Sequence, residues 1–127
     1  SFEWTFVEEA LQSFNFGDSV CKWFKLFCND SKSCVINNGH VSSLFRLERG
    51  FRQGDPLAPY LFIIGVEILA ITLKQNVNLR GLIFDVNEYK LGQYADDAFI
   101  LLDRSQLSLK ATMNILQGFF LLSRLKC

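Results

Sequence analysis

Residues 91–102 read LGQYADDAFILL, two apolar stretches on either side of a pair of aspartates. These stretches predict strands from Tyr89 to Ala95 and from Ala98 to Leu102 that meet at Asp96 and Asp97. Two like charges side by side at the tip of a hairpin oppose folding unless water, cations or hydrogen-bond donors compensate. The stretch therefore predicts a hairpin whose tip is either solvated or bound to a cation.

The two interpretations of this aspartate pair differ in chemistry. Mg²⁺ prefers carboxylate oxygens and keeps several waters that substrate phosphates can replace, which suits a half-exposed turn. Two such ions about 4 Å apart can activate an attacking hydroxyl and steady a leaving group. Aspartate also favours turns for local hydrogen-bonding reasons, so a solvated turn without chemistry is the commoner outcome for the dipeptide alone. The hairpin by itself leaves both interpretations open.

The rest of the chain alternates helical and strand patterns on both sides of this hairpin. In chain order we expect helices at 4–14 and 18–27, strands at 34–37 and 41–47 around Asn38-Gly39, a helix at 57–74, a short strand at 81–84, and a helix from Ser105. Asp18 or Ser19 is expected to cap the second helix, and Asp103 the last one. The order α-α-β-β-α-β-β-β-α predicts an α+β domain with helices packed on one face of an antiparallel sheet.

A second polar segment precedes the long apolar helix. Residues 49–56 read RGFRQGDP, with Asp55 as a candidate N-cap and Pro56 at the first helical position. Backbone N–H groups and the helix dipole favour phosphate at such a helix start, and Arg52 could hold phosphate oxygens in a bidentate pair. The alternative is an ordinary loop with solvated arginines. The segment alone does not decide between a phosphate site and a loop.

Composition limits the size and the class of the protein. A chain of 127 residues with 50% hydrophobic content suffices for one domain. Thirteen basic residues balance thirteen acidic ones, which counts mildly against a free-standing nucleic-acid binder. No secretory leader opens the chain, and the run at 56–73 contains two prolines and Glu67, so we expect neither secretion nor a membrane span. We therefore expect an intracellular protein, cytoplasmic or nuclear.

Several other residue types have a structural interpretation. The cysteines show no close C-x-x-C pair and no nearby histidine, which favours free buried thiols over zinc. His40 is expected at the surface, and the tryptophans in the core. Glu67 is expected to be a hydrogen-bonded core residue, and Phe51 to be exposed in its loop. The four cysteines are Cys21, Cys28, Cys34 and Cys127.

The motifs together resemble one protein family. Asn38-Gly39 followed by residues 45–62, FRLERGFRQGDPLAPYLF, resembles the signature NG…F-x-L-x-RG-x-RQG-x-PL-S-P-x-LF of reverse transcriptases from non-LTR (LINE-type) retrotransposons. Residues 94–97 match the YADD box of that family, in the same order along the chain. Residues 1–4 and 119–126 resemble its flanking segments. The resemblance thus covers almost the whole chain.

The resemblance implies a polymerase-type palm that is incomplete without fingers and thumb, so that residues 1–127 form a partial reverse transcriptase domain. It implies an RNA-directed DNA polymerase, a nucleotidyltransferase that extends a DNA primer on an RNA template with dNTPs and two Mg²⁺ ions. Asp96 and Asp97 would be the metal-binding and catalytic residues. The residues implied for the nucleotide, template and primer are Arg52, Gln53, Gly54 and Tyr94.

Three departures from the family pattern bear on activity. The family's further metal-binding aspartate and its aromatic gate would lie just before Ser1. Ala58 replaces a serine, and Arg124 replaces a glycine at a turn that needs positive φ, at a cost of about 1 kcal/mol. We therefore expect a piece of a longer polyprotein that is inactive alone. The alternative is a decayed, non-catalytic retroelement remnant that serves, if at all, as an interaction module.

Overall fold

The structure is a computed structural model that describes residues 2–51, 54–94 and 97–124. Its contacts divide the chain into two compact units: unit 1 comprises residues 1–65 and 123–127, and unit 2 comprises residues 66–122. The chain is of the mixed α+β class, as predicted. The elements of the described residues are α1 (Trp4–Ser13), α2 (Asp18–Cys28), β1 (Lys32–Ser33), β2 (Ile36–Asn37), β3 (His40–Val41), β4 (Phe45–Arg46), α3 (Ala58–Gln75), β5 (Leu82–Phe84), β6 (Asn87–Tyr89), β7 (Leu91–Tyr94), β8 (Asp97–Ile100) and α4 (Gln106–Ser123).

The two predicted N-terminal helices are present in unit 1. Their buried residues follow the spacing of one helix face, as expected for amphipathic helices that pack on a core. The predicted cap of α2 is wrong, because the N-cap is Gly17 and Asp18 is the first helical residue. There the Asp18 carboxylate can still interact favourably with the helix dipole. The buried residues of the two helices are Phe6, Val7, Ala10, Leu11, Cys21, Phe24 and Cys28.

Both tryptophans were expected in the core. This prediction is wrong for Trp23 and only partly right for Trp4. Trp23 is 61% exposed, because Cys21, Phe24 and Cys28 occupy the inward face of α2 and Trp23 lies outside that arc. Trp4 is half-buried, and its indole Nε1 donates to the Gly50 carbonyl at 2.8 Å. Sequence periodicity alone could not distinguish the inner from the outer apolar face of α2.

Phe2, in the segment before α1, is a core residue of unit 1. The Phe2 ring, almost fully buried, stacks on Phe6 at 5.3 Å between centroids and lies 5.6 Å from Phe62. Its backbone carbonyl accepts from Gly50 N at 3.1 Å, and Glu3 forms an antiparallel bridge with Arg49. These contacts connect the first residues to the segment that leads into the glycine loop.

The thiols of the described residues are free, as predicted. Cys21 and Cys28 are buried and Cys34 is half-buried, while Cys127 lies outside the described residues. Burial raises the pKa of the Cys28 thiol to about 11, so this group stays protonated and unreactive at neutral pH.

The predicted Asn-Gly hairpin is confirmed, but its second strand is shorter than expected. Asn38 and Gly39 have φ of 48° and 80°, and they join β2 to β3. The strand predicted over residues 41–47 is divided: Ser42 Oγ accepts from Val35 N at 2.9 Å and donates to the Ser43 carbonyl at 3.0 Å, and the ladder ends there. The following residues form β4, which pairs with β1.

The predicted long apolar helix is α3, which begins in unit 1 and ends in unit 2. A helix that is apolar nearly all round is expected to be covered on more than one side, and α3 meets this expectation only in part, since Tyr60 and Ile63 are exposed while Leu61, Ala70 and Leu73 are buried. Among the described residues, α3 is the one helix that is long and apolar enough to cross a membrane, and 22% of its 18 residues are buried. Core helices pass the same test, so this carries little weight.

The predicted single sheet is not formed by the described residues, whose strands make four separate two-stranded antiparallel sheets. The physical reason is strand length: ladders of two to four residue pairs have no third strand beside them and bury little apolar surface. Ile83 and Phe84 of β5, for example, are about three-quarters exposed. Local alternation predicted strands where β2 to β5, β7 and β8 lie, but it predicted neither β1 nor β6, and it predicted the assembly of the strands into one sheet wrongly.

Candidate functional site

The aspartate pair lies where β7 meets β8 in unit 2. The register pairs Leu91 with Ile100 and Tyr94 with Asp97, and the Leu101 amide extends the ladder by donating to the Lys90 carbonyl at 2.9 Å. Asp97 is thus the first residue of β8. The sequence predicted instead that Asp97 lies in the connection between the two strands. Asp96 lies outside the described residues, as does Ala95.

Tyr94 and Asp97 present their side chains on one face of this hairpin. Residues directly opposite each other in an antiparallel pair share a face, with Cβ atoms about 5 Å apart. Tyr94 is 83% exposed, and Asp97 is also exposed. A carboxylate and a phenol group therefore stand side by side and open to solvent, within reach of a cation or of a nucleic acid.

The same face continues with Gly92 and Phe99, the pair two steps further along the ladder. A Cβ atom on Gly92 would collide with the Phe99 ring, so the ring lies directly over the glycine. Glycine inside a strand pattern signals such a close approach, although the sequence interpretation did not use it. Gly92 and Phe99 support the strand pair that carries Tyr94 and Asp97.

Behind β8, a hydrogen-bonded network fixes the start of α4. Ser105 is the N-cap, since its Oγ accepts from Ser108 N at 3.1 Å, and Asp103 Oδ1 accepts from Ser105 N at 3.0 Å. Asp103 therefore acts just before the cap, not as the cap that the sequence predicted. Hydrogen bonds from Ser105, side chain first and then backbone, lower the pKa of Asp103. Ser108 Oγ also accepts from Arg80 N at 3.0 Å.

The glycine loop belongs to unit 1. Gly54 has a φ of 82° with open space around it, and Asp55 Oδ1 accepts from Leu57 N at 2.9 Å just before α3. The Asp55 side chain thus serves the helix start as predicted, although α3 itself begins at Ala58. Phe51, predicted to be exposed, is half-buried. Arg52 and Gln53 lie outside the described residues.

An open cleft of about 710 Å³ in unit 1 is lined by charged side chains of both signs. Apart from Glu48, these charges form ion pairs: Lys25 with Glu8 at 2.8 Å, Arg46 with Asp30 at 3.5 Å, and Arg124 with Glu3 at 3.5 Å. The Glu8 carboxylate, through its hydrogen bond and charge, raises the pKa of Lys25. Paired charges of both signs do not converge on one ligand, so the cleft is not the candidate site.

The donors at the hairpin fit a divalent ion that binds few protein groups. Among residues 2–51, 54–94 and 97–124, no cluster of three or more His, Cys, Asp or Glu side chains could hold a metal ion. Mg²⁺ does not require such a cage, because it commonly binds one or two carboxylates and takes its other ligands from water and substrate phosphates. The exposed Asp97 carboxylate, with Asp96 directly before it in sequence, matches that mode of binding.

Comparison with known proteins identifies the family. Residues 2–127 match the family described as Reverse transcriptase (RNA-dependent DNA polymerase). An uncharacterized mitochondrial protein of Arabidopsis thaliana is 44% identical over 54 residues, which are 42% of this chain and 38% of that protein. The retrovirus-related Pol polyprotein from type-1 retrotransposable element R2 of Popillia japonica is 27% identical over 112 residues, 87% of this chain and 16% of the polyprotein. The chain therefore spans well under half of either relative, and it belongs to the reverse transcriptase family.

Proposed function

We propose that this chain, residues 1–127, is part of the palm of an RNA-directed DNA polymerase of a non-LTR retrotransposon. In the complete protein it would extend a DNA primer on an RNA template with dNTPs. The observation that carries the proposal is the exposed Asp97 carboxylate beside Tyr94 on an antiparallel hairpin, at the position of the YADD box. Intracellular action, nuclear or cytoplasmic, is part of the same proposal, because the template and the dNTPs are intracellular.

In this proposal Asp96 and Asp97 hold Mg²⁺ with their carboxylates. The two carboxylates would hold ions that supply Lewis-acid chemistry, which would lower the pKa of the primer hydroxyl and offset charge on the leaving pyrophosphate. The protein contributes negative charge on a hairpin whose described residues next to the turn, Tyr94 and Asp97, are exposed to solvent. Tyr94, on the same face as Asp97, would pack near the primer end.

The glycine loop would serve the nucleotide. The left-handed Gly54 allows the backbone to approach a ligand closely, since it carries no side chain and, among the residues that the structure describes beyond its chain neighbours, none lies within 4 Å of where a Cβ would be. Arg52 and Gln53, just before it in sequence, would contact the incoming nucleotide and the template base. The support for these roles is the resemblance of the loop to the family motif.

Binding of Mn²⁺, as a probe for Mg²⁺, tests the metal role of the hairpin. Free Mn²⁺ in solutions of the chain is measured by electron paramagnetic resonance for the wild type, Asp97→Asn and Asp85→Asn. Asp85 is a matched control: it is exposed, lies in unit 2 between the strands of another hairpin, and has a φ of 56° that asparagine also tolerates. We expect D97N, which removes a proposed ligand, to weaken binding by more than the roughly tenfold that loss of an outer-shell partner costs, and D85N to leave it unchanged. Equal effects of the two substitutions would contradict the proposal.

Primer extension tests the expectation that the chain alone is inactive. The wild-type chain and a variant with both Asp96→Asn and Asp97→Asn are given an RNA template, a DNA primer, dNTPs and Mg²⁺. We expect no difference between them, because the family's third carboxylate and its fingers and thumb are not among these residues. Extension by the wild type above the double variant would refute the expectation of inactivity.

A second candidate function is a non-catalytic remnant that acts as an interaction module. The observation that favours it is Arg124, which has a φ of 48° where the family has glycine. A residue with a Cβ is strained there, which is the kind of change that a decayed copy would carry. Sequencing the DNA upstream of the codon for Ser1 separates the two: an in-frame aspartate and aromatic residue favour the enzyme, and a frameshift or stop favours the remnant.

A further inference from the structure

Lys90 is the residue at which the aspartate hairpin is attached to the rest of unit 2. Its backbone carbonyl accepts from Leu101 N at 2.9 Å, so it forms the last step of the β7–β8 ladder. Its side chain points to the end of α3, where Nζ donates to the carbonyls of Lys74 at 3.2 Å and Asn76 at 3.1 Å. The same residue therefore belongs to the hairpin and to the helix end.

The chemistry of this contact is that of a helix C-terminal cap. The last carbonyls of a helix have no intrahelical partner, and a lysine ammonium satisfies them while it interacts favourably with the negative end of the helix dipole. The Lys90 side chain is 14% exposed, and Glu88 Oε2 lies 3.7 Å from its Nζ. Glu88 Oε1 accepts from Gly81 N at 2.7 Å. The ammonium is thus held by two carbonyls and one carboxylate.

The other strand of the hairpin is fixed to the same segment. Asp103 N donates to the Arg80 carbonyl at 3.1 Å, and Arg80 N donates to Ser108 Oγ at 3.0 Å. Both strands are therefore bonded, at the base of the pair, to residues 74–80, which are the end of α3 and the segment that follows it. The opposite end of the pair carries Tyr94 and Asp97.

We propose that Lys90 is a positioning residue of the metal site, which fixes the hairpin that carries Asp97 by capping the end of α3. This inference rests on the proposed function. A two-stranded ladder of four pairs is marginally stable by itself. The orientation of Asp97 therefore depends on what holds the base of the ladder, and Lys90 supplies the side-chain part of that attachment.

The test compares Lys90→Met, Lys90→Arg and Lys110→Met in the whole 127-residue chain. Methionine keeps the apolar stem of the side chain and removes the donors, and arginine keeps the charge and the donors. Lys110 is an exposed lysine of α4 in the same unit, so K110M controls for the loss of one positive charge. Two properties are measured: amide hydrogen exchange in β7 and β8 without metal, and affinity for Mn²⁺ by electron paramagnetic resonance.

We expect K90M to accelerate exchange in β7 and β8 and to weaken Mn²⁺ binding by up to about tenfold, the lower end of the range for outer-shell partners, because Lys90 acts from the base of the hairpin. K90R should restore both properties to nearly the wild-type level, and K110M should change neither. A K90M chain that behaves like K110M would overturn the proposal. So would a loss of Mn²⁺ affinity that K90R does not restore.

Two further outcomes separate a positioning role of Lys90 from a role in folding and from failure of the proposed function. If circular dichroism shows that K90M is unfolded, Lys90→Gln replaces it, because its shorter neutral side chain cannot reach both carbonyls; unfolding of both variants would show a role in folding and overturn a positioning role. If D97N does not weaken Mn²⁺ binding by the wild-type chain, the proposed function fails. Hydrogen exchange in β7 and β8 then still decides whether Lys90 anchors the hairpin.

Discussion

Two hairpins of this molecule, β2–β3 and β7–β8, are both short and antiparallel, and they are held in different ways. The first has two residue pairs around Asn38 and Gly39, whose positive φ angles set the register. All four of its strand residues are exposed. The second has four pairs, half-buried residues at its base, and bonds from that base to residues at and after the end of α3.

The difference separates two sources of hairpin order. In β2–β3 the order comes from the turn, because an Asn-Gly pair matches the twist of the strands that it joins. In β7–β8 it comes from the base, through Lys90 and the residues that follow β8. A hairpin fixed at its base can keep its tip free for a ligand, which a hairpin that depends on its turn residues cannot easily do.

Of the substitutions that test how the two hairpins are held, Gly92→Ala in β7 is expected to change the free energy of unfolding most. The new Cβ would collide with the Phe99 ring, which must move off the strand pair. We expect a loss of roughly 1 to 2 kcal/mol in the free energy of unfolding, in the lower part of the range for overpacking because Phe99 is 57% exposed. Urea denaturation followed by circular dichroism measures this loss.

Gly118→Ala is the matched control for that prediction. Gly118 lies within α4, and among the described residues, its two chain neighbours and its own helical backbone aside, no heavy atom lies within 4 Å of the position that an alanine methyl group would take. Alanine should therefore stabilise the helix by about 0.5 to 1 kcal/mol. In addition, Gly92→Ala should cost less when Phe99 is also alanine. The interpretation fails if G92A costs the same with and without the Phe99 ring.

Gly39→Ala makes the same change in the hairpin that depends on its turn. Gly39 has a φ of 80°, so alanine is strained by about 1 kcal/mol although the space around it is open. Because β2 and β3 are exposed, we expect the hairpin to open locally rather than to lower the stability of the whole chain by that amount. Amide exchange at Asn37 and His40 should accelerate, while exchange in β7 and β8 stays unchanged. A change in β7 and β8 would contradict the separation of the two hairpins.

Arg124→Gly extends the comparison to a left-handed residue after a helix. Glycine removes the strain at a φ of 48°, a gain of up to about 1 kcal/mol that the larger entropy of glycine in the unfolded chain reduces. Arg124→Ala separates this gain from the ion pair with Glu3, which is exposed on the Arg124 side and worth little. In thermal denaturation R124G should be more stable than R124A. Equal stability of the two variants would show that the backbone is not strained there.

The sequence predicted those features that depend on neighbours in the chain. Helices α1 and α2 follow from apolar residues at helical spacing, and the β2–β3 turn follows from Asn38-Gly39. The positive φ of Arg124 was expected from the family glycine, and the structure confirms it. In each case a few neighbouring residues determine the local geometry, so the pattern suffices.

The features that the sequence did not predict depend on distant contacts. Lys90 lies 14 and 16 residues from the carbonyls that it caps, and nothing in the residues around it indicates that contact. The outer position of Trp23 depends on which face of α2 meets the core. The four separate ladders likewise depend on which strands meet, which alternation of apolar and polar residues does not specify.

The smallest expected effect is a loss of stability at low pH at the base of the β7–β8 hairpin, where Asp103 follows β8. Asp103 has its pKa lowered from the ordinary 3.8 by hydrogen bonds from Ser105, so the charged form is favoured in the folded chain. Its contribution to stability is therefore present above that ordinary value and is lost as the pH falls through the lowered pKa. Asp103 is fully exposed to solvent, so the contribution is small.

The Ser105 amide chemical shift should titrate below about pH 3.8, and Asp103→Asn should abolish that titration. Residues 35–42, which form β2, β3 and their turn, contain no carboxylate, so their amides should not follow the same midpoint. If they do, acid acts on the whole chain and the two hairpins are not held independently.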